Sequence, residues 1–366
     1  MKRHLLLPGA LAVLVVVGGA VAAGAFSIPS NAVTVDGVSI SRATVNSDLA
    51  TIQQNAAFGC YLDASVAVRS GNTAGLPSIN GTGRSGTYST AYVDFWLSEL
   101  VNNVLIERLA ARQHLVLDAT AVSAGHADLV NSISSTLSSA AAASGQSAVC
   151  APSGQALVAT LPSGFVAELT RSQAAGDLVL AHAAGYGLDE ADLSRYFVAH
   201  QGQFDTICLS AIQTATQASA ADARSAIEGG QSFAAAASAD STDTTSAANG
   251  GALGCFSANE GAYATVAADV QGLGVGEVSQ PISNNGSYLI LEVTSDTPAA
   301  FDAVVPAVRQ AVLNAGSTKG ASELAKETKQ AAVSIDPRYG HWAGGSGIGV
   351  VPPASPPAAD LLTSKA

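Results

Sequence analysis

The stretch Ser241–Phe256, STDTTSAANGGALGCF, constrains this chain more than any other. It is a Ser/Thr-rich polar run that ends in Gly250-Gly251-Ala252-Leu253-Gly254. Glycine-rich polar loops are common, so the weight of this one comes from its surroundings. Upstream, Ala220–Ala237 (AADARSAIEGGQSFAAAA) reads as a helix closing in Gly-x-x-Phe. Downstream, Gly276–Ile282 (GEVSQPI) reads as a turn and Gly286–Val293 (GSYLILEV) as a strand. Alternation in Cys208–Ile212 and Tyr288–Val293 predicts two strands that close one sheet.

In this order, spread over Phe204–Val293, the four landmarks resemble those of parvulin-type (PpiC) peptidyl-prolyl isomerases. The preceding LDEADLSRYFVAHQGQF, with Tyr196-Phe197 ahead of Phe204, is similar to the lead-in of many parvulin domains. Near the start, Val35-x-Gly37-x-x-Ile40-Ser41-Arg42-x-x-Val45 resembles the opening of SurA-like chaperone domains. The whole chain thus resembles the SurA and PrsA class of extracytoplasmic foldases. The resemblance implies an α+β protein: a mainly helical SurA-like chaperone domain over 32–200 and an inserted parvulin-like domain over 203–297. The latter would be a small antiparallel sheet flanked by helices. A C-terminal helix and strand over 298–342 would return to the chaperone domain.

Local signals fill in the elements. Asp36-Gly37 predicts a hairpin turn, and Ser41 an N-cap for a helix carrying Val45 and Leu49 on one face. Ser70–Ser89 reads as a loop. Tyr92–Gln113 is the clearest helix, with Val93, Leu97, Leu100 and Val104 at helical spacing. Helices are also predicted over Asp118–Ala142, Leu161–His182, Asp189–His200 (N-capped by Asp189) and Phe301–Gln330, with Pro306 near the first turn of the last. Ser334–Gly340 reads as a short extended piece and a turn. The proline-rich 343–366 is expected to be a disordered tail.

The chain begins Lys2-Arg3-His4 and then runs apolar from Leu5 to Ala25, closing Ala23-Gly24-Ala25. Residues 1–25 therefore read as a cleaved signal peptide, or as an anchor, since about 20 apolar residues can span a bilayer. Either places the chain outside the cytoplasm, secreted or held at the outer face of the cytoplasmic membrane. Four cysteines in an exported chain suggest disulfides, with three connectivities open. Cys208 and Cys255 fall in the parvulin-like segment and Cys60 and Cys150 before it, so pairing within each region is expected, buried free thiols being the alternative. Only 5% of residues are aromatic, so the cores should be built from small side chains. The formal charge of −12 disfavours nucleic acid. Phe204–Thr297 holds ten carboxylates against one cation, Arg224. Such a surface would repel acidic clients and tolerate basic ones, or simply reflect the solubility of a secreted protein.

Prolyl isomerisation breaks no bond; a catalyst need only hold the ring in an apolar pocket and favour the twisted amide. Parvulins use two histidines, a Cys or Asp near the serine loop, a Leu, and a Met/Phe pair lining the pocket. The resemblance places Asp243 at the Cys/Asp position and Leu253 at the Leu. It places Ser210 at the first histidine and Tyr288, or its neighbour Leu289, at the second. Ala262 and Val266 fall near the Met and Phe positions, and Tyr263 could supply a pocket wall. Asp243, Ser210 and Tyr288 are the catalytic candidates; Leu253, Ala262, Tyr263 and Val266 are the substrate-binding ones. No histidine occurs in Phe204–Thr297; the chain's six are His4, His114, His126, His182, His200 and His341. These lack metal-ligand spacing, and no nucleophile elbow, Walker or dinucleotide pattern is present, so neither metal nor cofactor is expected. The expected function is that of an exported folding factor for unfolded secreted or envelope proteins, with a weak or inactive isomerase domain. An active parvulin-type isomerase and a structural adaptor of the cell envelope are the alternatives.

Overall fold

The computed structural model describes residues 31–70, 76, 78–81, 87–257, 269–270, 272–344 and 349–353. The segments 1–30 and 354–366, with the N-terminal signal or anchor and most of the expected tail, lie outside the described residues.

The chain opens with a hairpin, β1 (Asn31–Val35) and β2 (Val38–Ser41), turned by Asp36-Gly37 with both residues at positive φ. The Ser41 hydroxyl caps α1 (Arg42–Gln54) by accepting from the Thr44 N–H. There follow α2 (Ala56–Ser70), α3 (Thr90–Arg112), α4 (Ala119–Ser144), α5 (Gly154–Val158), α6 (Ser163–Ala184) and α7 (Glu190–Ala199). Asp118 and Asp189 cap α4 and α7 through carboxylate bonds to Ala121 N and Asp192 N. Each such cap is worth about 1 kcal/mol. Helices α1 to α6 share a core built around Phe58, Trp96, Leu97, Leu105 and Ile133, while Leu193, Tyr196 and Phe197 of α7 belong to a second cluster.

After one turn of 3₁₀ helix the chain enters a separate unit. Its elements are β3 (Thr206–Thr214), α8 (Gln217–Glu228), α9 (Phe233–Asp240), α10 (Thr244–Ala247), β4 (Ala252–Ser257), β5 (Ile282–Asn284) and β6 (Ser287–Thr297). The sheet is antiparallel, ordered β4-β3-β6-β5. The stretch read as one helix, Ala220–Ala237, is two. Gly229 and Gly230 end α8, Gly230 at a φ of 103°, and the Ser232 hydroxyl starts α9 afresh.

The chain then returns through α11 (Phe301–Gln330) to β7 (Val333–Ile335), which pairs antiparallel with β1. The molecule is thus α+β and mostly helical, the small sheet unit lying between two passes through the helical one. A last hairpin joins β8 (His341–Ala343) to β9 (Gly349–Val351). Part of the expected tail is therefore structured: Val350 is buried and donates its N–H to Ser98 on α3, giving the strand a partner that its sequence does not advertise.

Two contacts hold this arrangement. At the crossings between units, the Phe197 ring lies 5.6 Å from Phe204 on the way out and 5.6 Å from Phe301 on the way back. Along the return, α11 packs closely on α6 because Gly316 and Gly320 present no side chain. A Cβ on Gly316 would fall on the Leu180 carbonyl, and one on Gly320 would come within 2.8 Å of the Leu180 side chain. Gly316→Val should force the helices apart and destabilise the protein by about 2 kcal/mol or more. Urea unfolding checks this; an unchanged midpoint would mean that α11 is not seated as described.

Candidate functional site

Alternation along β3 and β6 gives the sheet two different faces. Facing α8 and α9 are Ile212 and Ile290, packed with Ala220, Phe233, Ala236 and the half-buried Tyr288. The opposite face carries Leu209, Ala211, Leu291 and Val293 with Phe256 and Val270. Leu253, Ile207, Leu273 and Ile282 stand half-buried around that second cluster, so its margin is an apolar surface open to solvent.

The glycine pair puts Leu253 there. Gly250 and Gly251 have φ of 67° and 87°, and a Cβ on Gly251 would come 2.7 Å from the Ala211 carbonyl. Ala211 N–H donates to Gly251 O at 2.8 Å, so only glycine lets the loop press this close to β3. The register of β4 on β3 then slips between Leu209 and Ser210, and Leu253 sits at that slip. The serine loop docks on one residue: Ser241 accepts from Gln213 N–H, while Thr242 donates to Gln213 O through both its N–H and its hydroxyl. Asp243 follows as the cap of α10. Its carboxylate accepts from the Ser246 hydroxyl at 2.6 Å and from Thr245 N–H at 3.1 Å, and the Ser246 bond leads in holding its pKa below the usual carboxylate range.

The ladder separates the candidate residues. Ser210 lies opposite Glu292 and Tyr288 opposite Thr214, four residues apart or about 13 Å along the strand. Both alternate onto the face toward α8 and α9, away from Leu253. Ser210 is buried, and Tyr288 is part of the helix-facing core. The structure brings Leu253 to the apolar face and Asp243 to the loop before it, and does not bring Ser210 or Tyr288 to either. Ala262, Tyr263 and Val266 lie outside the described residues. Cys208 and Cys255 are directly opposed on β3 and β4 and joined by a disulfide; Cys60 on α2 is joined to Cys150. Glu292, which the sequence reading passed over, is half-buried beside Ser210, and burial raises its pKa.

The helical unit has its own concavity, a cleft of ≈ 460 Å³ between α2, α3, α4 and α6. Phe58, Phe95, Trp96, Leu129 and Leu169 line it, with Ser172, Gln173 and Asp177 at one end. This volume lies in the range of small-ligand pockets and would accept one or two bulky side chains. Sequence reasoning missed it, because it did not predict α2, which supplies Phe58 and Leu62, although Asn55 caps that helix by accepting from the Phe58 N–H at 2.9 Å. At the polar end, Gln173 donates to Asp177 at 2.7 Å. Arg309 of α11 bridges Asp128 of α4, at 2.6 Å, to Asp177, at 3.4 Å. Burial, with Asp128 close by, raises the Asp177 pKa. Among the described residues, no cluster of His, Cys, Asp and Glu could hold a metal ion, and no helix is long and apolar enough to cross a membrane.

Residues 188–306 match the family described as the PPIC-type PPIASE domain (Rotamase_2). Among solved structures, the chain is similar to the foldase protein PrsA of Streptococcus pneumoniae str. Canada MDR_19A. Identity is 18%, covering 64% of this chain and 84% of that one, with a TM-score of 0.33. It is similar to PrsA of Bacillus cereus at 15% identity, over 86% of this chain and 96% of that one, with a TM-score of 0.39. It is similar to the parvulin domain of PpiD from E. coli at 29% identity, over 26% of this chain and 92% of that one, with a TM-score of 0.23. No curated protein matches the chain in sequence.

The helical unit buries two further carboxylates. Burial pushes Asp48 up to about 7 despite a bond from the Trp96 indole, and Asp94, whose oxygens have no hydrogen-bond partner, also to about 7. Unfolded, both would titrate near 3.9. Between about pH 4 and pH 7 the folded state keeps protons that the unfolded chain has released. Stability from these groups is therefore greatest at or below about pH 4, falls towards about pH 7 and stays low above it. Asp94→Asn should raise stability at about pH 8 by ~1 kcal/mol or more relative to its effect at about pH 5. Thermal unfolding of both proteins at the two pH values checks this; equal shifts would mean that Asp94 is not desolvated.

Proposed function

We propose that this chain, whose residues 188–306 form a PPIC-type peptidyl-prolyl isomerase domain, is an extracytoplasmic foldase. Its helical unit holds unfolded polypeptide clients, and its sheet unit binds proline-containing segments with weak isomerase activity or none. The observation that carries this is the apolar face around Leu253, which has the aliphatic surface a proline ring needs, in a stretch, 204–297, that contains neither of the family's two histidines.

The chemistry follows from what that face can do. A twisted amide has lost its resonance, and the barrier of about 18–20 kcal/mol falls when the site binds that form more tightly than the planar one. Burying the ring supplies affinity at roughly 25 cal/mol per Å² of apolar surface, but it stabilises planar and twisted forms alike. Preference for the twisted form needs polar groups aimed at the carbonyl or the nitrogen. Residues 204–297 contain no histidine, and Ser210 and Tyr288 stand on the other face. Asp243 is the remaining candidate, and its carboxylate already accepts from Ser246 and Thr245. The face is therefore better suited to binding than to turnover.

Client holding would fall to the helical cleft, where an aromatic and aliphatic lining meets a hydrogen-bonding end. The charged, apolar N-terminal segment and two disulfides fit a protein working outside the cytoplasm.

Two measurements on the purified chain test this reading. In a protease-coupled Ala-Pro peptide assay, kcat/KM should fall at least about a hundred-fold short of a parvulin with both histidines, the two groups together contributing at least ~2.7 kcal/mol. Asp243→Ala should remove whatever remains. Aggregation of a reduced, unfolded client should be suppressed by the chain, and Leu129→Trp, which fills the cleft, should weaken that suppression several-fold without altering the peptide assay. Full isomerase activity indifferent to Asp243→Ala would favour an active isomerase with another site. No suppression of aggregation would favour an envelope adaptor.

A further inference from the structure

The sheet unit carries a charge asymmetry that the foldase reading leaves unused. Of the ten carboxylates and one cation in 204–297, the cation is spent: Arg224 on α8 pairs with Glu228 at 2.8 Å and donates to Ser279 O at 3.1 Å. It also stands on the helix-covered side, whereas the apolar face lies on the other. The margin of that face is acidic. Asp296 is exposed on β6 opposite Ile207, one of the residues bordering the Leu253 surface. Glu277 is exposed beside Val293, whose N–H it accepts at 3.3 Å, and its carboxylate folds back to Gly274 N–H at 2.8 Å next to Leu273. Asp296 is three strand positions from Val293, about 10 Å, or one Debye length at moderate salt.

From this we infer that the apolar face takes proline segments flanked by Lys or Arg and disfavours those flanked by Asp or Glu. The inference rests on the foldase reading and names the chemical class of client that its sheet unit accepts. A chain segment crossing Leu253 places its flanking side chains over Asp296 and Glu277. At roughly 8 Å through water, a unit pair changes binding about two- to three-fold, so two margin carboxylates together give roughly five-fold between basic and neutral flanks. Because the margin is open to solvent, that preference fades with salt.

The test uses the full chain and three fluorescent peptides with one Ala-Pro core, flanked by Lys, Gln or Glu, followed by anisotropy at about 20 mM and about 300 mM salt. The Lys peptide should bind about five-fold tighter than the Gln peptide, with the Glu peptide weakest, and the order should collapse at the higher salt. Asp296→Asn with Glu277→Gln should at least halve the Lys advantage. Asp222→Asn with Asp240→Asn, removing the same charge from α8 and α9 behind the sheet, should leave it in place. Equal binding of all three peptides would overturn the inference and leave the foldase reading standing. An equal effect of the two double variants would also overturn it, because the preference would then belong to net charge and not to this face. Failure of every peptide to bind would overturn proline-segment binding by the sheet unit and the charge preference with it.

Discussion

The pairing of β1 with β7 is the constraint on which the rest depends. It joins segments nearly the whole described length apart: Ala332 N–H donates to the Asp36 carboxylate across 296 positions, and Arg42 pairs with Asp336 across 294. A contact of such separation closes a very long loop, and its entropic cost grows only slowly with length. The cost is offset here because the contact is not alone. Asp36 is also held by Arg108 at 3.1 Å, and Arg112 of α3 pairs with the buried Glu327 near the end of α11. Once α11 is fixed at that end and seated on α6 through Gly316 and Gly320, both crossings to the sheet unit are fixed as well. They leave and re-enter at Phe197, between Phe204 and Phe301. The sheet unit can then keep its own core, since among the described residues the clusters on its two faces contain none of the helical unit.

That separation of cores has a consequence for function. Among the described residues α8 and α9 pack on one face of the sheet, and the other face is aliphatic, with a half-buried margin. In a strand, each polar residue moved by one position changes face. Ser210 and Tyr288 are one position away from the face that bears Leu253, and that single step decides whether they meet the Leu253 cluster or the side chains of α8 and α9. The apolar character of that face thus comes from register as much as from composition.

Much of this was legible in the residues, and the parts that were not share a cause. Caps and turns are local, so Ser41, Asp189 and Asp36-Gly37 are readable from a few neighbours. The Gly250-Gly251 pair and the Tyr196-Phe197 to Phe204 spacing are readable as patterns, though their reasons, a loop pressed on Ala211 and a clamp on two crossings, appear only in three dimensions. The break at Gly229-Gly230 was overridden by the alanine-rich pattern on both sides, which suits one helix as well as two. Strand β9 is three residues long and depends on Ser98 and α3, so nothing within it signals a strand. The cleft was invisible for the same reason: it is a gap between four helices, and no one of them encodes it.

The cleft and the buried carboxylates belong to one problem. With 5% aromatic residues and a surplus of Ala and Gly, the helices approach closely where a glycine faces a neighbour, as at Gly125 against Ala174 and Gly316 against the Leu180 carbonyl. Where larger rings gather instead, at Phe58, Trp96 and Phe165, the spacing opens and the packing cannot be closed by small side chains. Asp177 lines that opened region, bonded to Gln173 and Arg309, and Asp48 accepts from the indole of Trp96, another lining residue. A buried carboxylate costs less when it is hydrogen-bonded or protonated than when it is bare and charged. The same opening that we propose for a client side chain is therefore a place where this small-residue core tolerates an acidic group, and on that proposal filling it with a larger apolar residue would trade client holding for stability.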